Sequence, residues 1–305
     1  MSLRITPLTD PEDGQYSRRL AWLASDADAI PVGTAFLRLF TAAGQDHVAE
    51  LAVQVHPAER RGNVGSRLLD VAVAAARDHA RRSVTAQADA GSPGDAFLSA
   101  RGFRKVLTLR FTRLPLADVD PAALDEIVAR PHPGYRLASW RGTVPDDLAQ
   151  TFAASRRAMD DMPMDDTDYG TVVWDVDRVR AAARTVAERG DLLHTVAAID
   201  ESDGSIAGFT ELVVPGSGEG DGQHYGTGVL PEHRGHGLGR WMKAESIRHA
   251  HGHYPKLGAL LTDTADSNTH MRHINEALGY VPTHEVLQYQ LDLEGGTRGP
   301  GRSPA

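Results

Sequence analysis

Residues 229–240 read VLPEHRGHGLGR: the end of an apolar stretch, a proline turn, then glycines at 235, 237 and 239 opening a helical pattern. Glycine has no Cβ to hold a ligand away from its backbone, so three at alternate positions let amide N–H groups converge on one point. A helix that begins there adds the positive end of its dipole. This chemistry suits a pyrophosphate. Neighbouring residues argue against two common phosphate loops. A nucleoside-triphosphate loop ends in Gly-Lys-Ser/Thr, whereas Gly239 is followed by Arg240 and Trp241. A dinucleotide fingerprint needs G-x-G-x-x-G and an acidic residue about twenty positions on, which fits this spacing poorly.

A plain glycine-rich turn, with Arg234 solvated, would satisfy the same short string. The flanking residues favour a ligand loop. Leu238, Trp241 and Met242 fall at i, i+3 and i+4, the start of an amphipathic helix. Downstream, Ala259-Leu260-Leu261-Thr262 reads as a buried strand, followed by Asp266-Ser267-Asn268 and Ala277-Leu278-Gly279-Tyr280. With these flanks the segment closely resembles the acyl-CoA loop of the GNAT superfamily of N-acetyltransferases. That pattern is Gln/Arg-x-x-Gly-x-Gly/Ala after a strand ending in Val-x-Pro, and Arg234, Gly237 and Gly239 fill it. In the family an Asn after the fifth strand and a Leu-Gly-aromatic turn after the fourth helix recur in this order. The resemblance implies acetyl-CoA as co-substrate, held by Val229, Leu230, Arg234, Gly235, His236, Gly237, Leu238, Gly239, Arg240 and Asn268. It also implies direct attack by a primary amine of a small molecule, with no covalent enzyme intermediate. A non-catalytic acyl-CoA-binding or sensor protein, and a transferase of another acyl group, are the alternatives.

Acetyl transfer from a thioester needs a neutral amine, a donor for the tetrahedral oxyanion and a proton for the departing thiolate. The resemblance places the oxyanion donor on the backbone of the strand before the loop, here residues 224–229. Gly226 and Gly228 weaken ladder pairing there and allow a bulge. Glu211, set among apolar strand residues, is the first candidate base, because burial raises a carboxyl toward a useful range. Its alternative is an outward-facing strand glutamate. His224 is the second candidate. Many family members carry a proton-donating tyrosine five residues before the aromatic of the Gly-aromatic turn. Here that position is Asn275, which can hydrogen-bond a sulfur but not protonate it, leaving Tyr225 or water as substitute. In the loop 159–166, Asp161, Asp165 and Asp166 read as contacts to a cationic acceptor or as a solvated acidic connector. His249, His251 and His253 fall on different faces of a helix end and are not expected to hold a metal.

The elements that position these groups occur twice. At an offset of about 174 residues, Val55-His56-Pro57-Ala58-Glu59-Arg60 matches Val229-Leu230-Pro231-Glu232-His233-Arg234. The stretch around Gly33 matches that around Gly208, and Arg101-Gly102-Phe103 matches Leu278-Gly279-Tyr280. The fold class expected is therefore mixed α/β, two tandem GNAT folds, similar to actinobacterial tandem acetyltransferases. Residues 1–116 form an N-terminal domain, truncated because residues 1–16 leave no room for two helices. A linker at 117–134 with a short helix from Ala122 to Ala129, a catalytic domain at 135–293 and a disordered tail at 294–305 complete the division. Within 135–293, a strand is expected at Tyr135–Ser139 and helices at Pro145–Met159 and Thr171–Arg189. In the first copy Asn63 stands where the second has Gly237, and its side chain is expected to crowd a phosphate.

Composition narrows the partners. The 305 residues carry a formal charge of −9, with basic residues scattered rather than striped, which argues against nucleic acid and mildly favours a cationic acceptor. No apolar run approaches the roughly twenty residues of a membrane helix, and the N-terminus lacks a signal-peptide pattern, so a cytoplasmic location is expected. Cysteine is absent, removing disulfides and thiolate nucleophiles. The lysines are only three, Lys105, Lys243 and Lys256, a balance with no evident mechanistic content. Oligomeric state is not legible.

Overall fold

The computed structural model describes residues 3–9, 16–160, 162–170 and 172–293. In chain order the strands and helices are β1 (Arg4–Leu8), β2 (Ser17–Ser25), β3 (Pro31–Phe40), β4 (Val48–Val55), α1 (Val64–Asp78), β5 (Ser83–Asp89), α2 (Pro93–Ala100) and β6 (Arg104–Pro115). These are followed by α3 (Pro121–Ala129), β7 (Tyr135–Arg141), α4 (Ala149–Ser155), α5 (Val176–Glu188), β8 (Leu192–Asp200), β9 (Ile206–Val214) and β10 (Gly220–Val229). The last four are α6 (Leu238–His253), β11 (Leu257–Ala265), α7 (Thr269–Ala277) and β12 (Val281–Asp292). A 3-10 turn at Arg156–Met159 continues α4.

Two compact units result, and they are interleaved in sequence. The first comprises Met1–Thr108, Met164–Val173 and Val286–Ala305; the second comprises Leu109–Pro163 and Trp174–Glu285. In the first, β1 to β4 pair antiparallel in sequence, β4 runs parallel to β5, and residues 286–292 of β12 pair antiparallel with β5. In the second, β7, β8, β9 and β10 pair antiparallel, β10 runs parallel to β11, and residues 109–115 of β6 pair antiparallel with β11. Each half of the chain thus gives its final strand segment to the other unit's sheet. A division at one linker does not capture this, because strand pairing follows hydrogen-bond edges rather than chain order.

The stretch expected as a linker is folded into the second unit. Asp120 caps α3 by accepting from the Ala122 amide at 2.9 Å, Pro121 takes the first helical position, and Leu116 and Leu124 enter a core with Leu212, Ile247 and Leu260. In the first unit α1 buries Val64, Leu68, Leu69, Ala72, Val73 and Ala76 on one face, against Ala35, Leu37 and Leu51 of the sheet. Every residue of β9 is buried, as expected for a strand covered on both faces.

The helices of the second half lie close to their expected places, with α5 starting only at Val176, after Asp175 caps it through the Arg178 amide. Thr171, Asp161 and residues 294–305 lie outside the described residues. The N-terminal segment holds a strand, β1, and no helix among its described residues.

Candidate acyl transfer site

The site is built where β10 and β11 part. They pair only from Gly220–Leu257 to Gln223–Leu261, and beyond that β11 pairs on its other side with β6 while β10 follows β9. A gap opens in the ladder between the two strands. On its β10 bank the register with β9 shifts between His224 and Gly226, so Tyr225 has no cross-strand partner. Such a bulge turns backbone groups out of the ladder. The glycines after it have a packing cause as well. A Cβ at Gly228 would come 3.0 Å from the Ala158 Cβ and 3.2 Å from the Met159 sulfur, and one at Gly226 3.2 Å from Met159. The 3-10 turn therefore lies directly on the strand.

Past β10, Gly235 and Gly237 adopt φ of 86° and 75°, left-handed values that cost glycine nothing. No side chain caps Gly237, and the amide of Trp241 is the first to close a helical bond, to the Gly237 carbonyl at 3.1 Å. The amides at the helix start are thus left for a ligand. Arg234 ties the loop to its strand, donating from Nε to the Val229 carbonyl at 3.1 Å, and His132 donates from Nδ1 to the His236 carbonyl at 3.0 Å while stacking on Trp241. Leu230 and Leu238 are buried beneath it. Arg240 belongs to the first helical turn. Asn268 commits its Oδ1 to capping α7, accepting from the Met271 amide at 3.1 Å.

The catalytic candidates have environments the sequence did not disclose. Glu211 faces Gly226 across the bulge and is buried, but Arg156 grips both its oxygens, Nη1 to Oε2 at 2.8 Å and Nη2 to Oε1 at 2.5 Å. The guanidinium is itself enclosed by the rings of Phe152, Trp174 and Phe209 at 4.6–4.8 Å. Glu211 is thus neither outward-facing nor free among apolar residues. His224 is buried, and that burial, with the Lys243 ammonium adding to it, holds its imidazole well below its ordinary range and so neutral. Tyr225 is half exposed, its hydroxyl accepting from Arg189.

Asn275 is buried and accepts from the Lys243 Nζ at 2.7 Å while donating to the Thr264 hydroxyl at 3.2 Å. Asp165 and Asp166 belong to the first unit, where the Asp166 amide donates to the Val106 carbonyl at 3.2 Å and its carboxylate pairs with Arg104. His249 stacks on buried His194 at 3.8 Å and is a packing residue.

Sequence reasoning missed Arg156 and Lys243. Arg156 stands beside Arg157, which is exposed and pairs with Glu232, and nothing local tells the two apart. Lys243 had a faint signal, following Trp241 and Met242 in a helix that is buried almost all round.

This geometry of split strands, bulge and glycine-opened helix has known counterparts. A family model described as acetyltransferase (GNAT) family matches residues 5–103 and again 158–280. The chain belongs to the GNAT family. Among curated relatives, a mycothiol acetyltransferase of Thermobifida fusca is 30% identical over 245 residues, 77% of this chain and 72% of its own. One from Catenulispora acidiphila is 30% identical over 78% of this chain and 71% of its own. A tandem GNAT protein from the clavulanic acid biosynthesis pathway has the same fold, with a TM-score of 0.75 at 22% identity over 95% of this chain and 98% of that one. A GNAT protein from Sphaerobacter thermophilus aligns with a TM-score of 0.64 at 15% identity over 93% of this chain and 82% of that one. The protein is a tandem GNAT N-acetyltransferase that uses an acyl-CoA. Among its described residues no helix is long and apolar enough to cross a membrane.

Proposed function

We propose that the second unit transfers an acetyl group from acetyl-CoA to the primary amine of a small molecule by direct attack, and that the first unit does not catalyse. The observation that carries this reading is the bulge at Tyr225, beside the gap and the glycine loop, because the first unit has no counterpart to it. Its β4 pairs with β3 from Gly33–Val55 to Leu39–Ala49 without a register shift. The loop fits the pyrophosphate of an acyl-CoA through its open amides and the missing Cβ atoms at Gly235 and Gly237. A bulge amide beside the gap is suited to stabilise the tetrahedral oxyanion. The names of the curated relatives give mycothiol rather than a protein, which supports a small acceptor.

Glu211 acts as base in this reading when an acceptor ammonium competes with Arg156 for its oxygens; neutral His224, buried beside the bulge, stays a packing residue. Gly239→Asp tests the assignment against Gly65→Asp. A Cβ added at either position would meet only ordinary contacts, at 3.6 Å or more for Gly239 and 3.4 Å or more for Gly65, and an aspartate suits a first helical turn but repels a phosphate. Thiol release from acetyl-CoA with a panel of small amines should fall at least about tenfold in Gly239→Asp, the effect of about 1.4 kcal/mol of lost binding. It should persist in Gly65→Asp. The reverse pattern would move catalysis to the first unit.

A further inference from the structure

Lys243 is the most deeply placed charge of the second unit. It sits on α6 six residues beyond Gly237, about 9 Å along the helix from the phosphate loop, and its side chain is 1% exposed. Its Nζ donates to Asn275 at 2.7 Å, Asn275 donates to Thr264, and the ammonium lies 4.9 Å from the centre of the Tyr280 ring. Thr264 is on β11 past the last residue paired with β10, and His224 is on β10 just past its own last pair. The cluster thus underlies the split through which the arm of an acyl-CoA must run from the loop to the bulge.

A buried lysine is costly, and natural cores place Leu or Met at such positions unless the charge has a use. Stability alone gives no account of it, since no carboxylate is hydrogen-bonded to it among the described residues. What the reaction generates at this place is an anion, the thiolate of CoA.

We propose that Lys243, acting through Asn275, supplies the positive charge that stabilises the departing thiolate. It is a positioning residue: as the amine nitrogen bonds to the thioester carbonyl carbon and the C–S bond breaks, the electron pair goes to sulfur, the amine proton leaves to base and solvent, and solvent later protonates the thiolate. The ammonium polarises the Asn275 amide and sharpens its N–H as a donor, and its field crosses a floor from which water is excluded. This replaces a proton donor by a buried cation.

Burial lowers the Lys243 ammonium to about 7, with Asp263 of β11 opposing the shift. An anion arriving nearby raises it again, so cation and thiolate form together. Of the titratable groups shown beside it, His224 of β10 is held neutral by burial and Tyr280 after α7 is held as a phenol. The charged groups on the other elements packed against α6 are already engaged, Glu211 of β9 with Arg156 and Asp125 of α3 with Arg248.

The inference rests on the second unit binding acyl-CoA, and CoA itself tests both without an identified acceptor. In the full chain carrying Gly65→Asp, the thiolate absorbance of bound CoA is titrated against the complex with desulfo-CoA. The bound thiol should ionise at least about one pH unit below the thiol of free CoA titrated alongside it. Lys243→Gln keeps a hydrogen-bond donor to Asn275 without the charge and should return the thiol to the free value or above, whereas Lys243→Arg should preserve the shift. Lys243→Met, close in volume, is the second uncharged variant should the first not fold. CoA binding that Gly239→Asp abolishes, with a thiol titration unchanged in Lys243→Gln or Lys243→Met, would overturn this proposal alone. Absence of CoA binding sensitive to Gly239→Asp would overturn the reading beneath it as well.

Discussion

The Arg60 loop of the first unit and the Arg234 loop of the second have nearly the same backbone despite different residues. Asn63 has φ 65° and ψ 8°, Gly237 φ 75° and ψ 7°, and each is the uncapped residue preceding a helix. Arg61 and Gly235 are both left-handed. Arg60 donates from Nε to the Val55 carbonyl at 3.4 Å, as Arg234 does to Val229. The first amides to close the helices, of Arg67 and Trp241, bond to Asn63 and Gly237 at 3.2 and 3.1 Å. Asparagine is the non-glycine residue best suited to this conformation, so it keeps the loop's shape. The difference between the halves therefore lies less in this loop than in what adjoins it. Of the two strands that lead into these loops, β10 is bulged and β4 is not, and among the described residues the second unit alone carries a 3-10 turn lying on that strand and a buried cation beneath the split.

The largest effect expected from breaking this contrast is at Arg156. Arg156→Met strands the buried Glu211 carboxylate and should cost about 3–5 kcal/mol in chemical denaturation. A loss below about 1 kcal/mol would mean that the ion pair does not anchor the turn to the strand. An intermediate effect should appear twice. Gly33 and Gly208 occupy matched positions where an added Cβ would come 2.7 Å from a backbone carbonyl, of Gln54 and of Gly228. Gly33→Ala and Gly208→Ala should each cost about 1–3 kcal/mol, and clearly unequal costs would weaken the structural equivalence of the halves. The smallest effect is expected from Gly237→Asn, which writes the first loop's residue into the second. Its stability should change by less than about 1 kcal/mol, and calorimetric titration with CoA will then separate loop shape from side-chain crowding. Unchanged affinity would remove Asn63 as a reason for the first loop to be the weaker.

The second loop, the repeat and the α/β elements were legible because they depend on local rules. Glycines at alternate positions, a proline turn and helical spacing of Leu238, Trp241 and Met242 act within a few residues and leave their pattern in order along the chain. The matched anchors at Gly33 and Gly208, and at Gly102 and Gly279, carry backbone demands that recur wherever the fold recurs. The strand exchange was not legible, since residues 109–115 and 286–292 are as apolar as strands that pair with their own half. Nor were the partners of the candidate site. Glu211 reads alike whether it faces solvent, an acceptor or Arg156, which lies 55 residues away in sequence, and Asn275 reads as a lost proton donor until Lys243 lies against it.

Sequence by itself determined two GNAT folds, the glycine-opened helix of the second and the positions of a handful of polar residues around it. Tertiary structure alone decided which of those residues are buried, which are already paired and which strand segment completes which sheet. The physical reason is that desolvation and charge pairing, unlike helical period or turn chemistry, are set by neighbours brought together from distant parts of the chain.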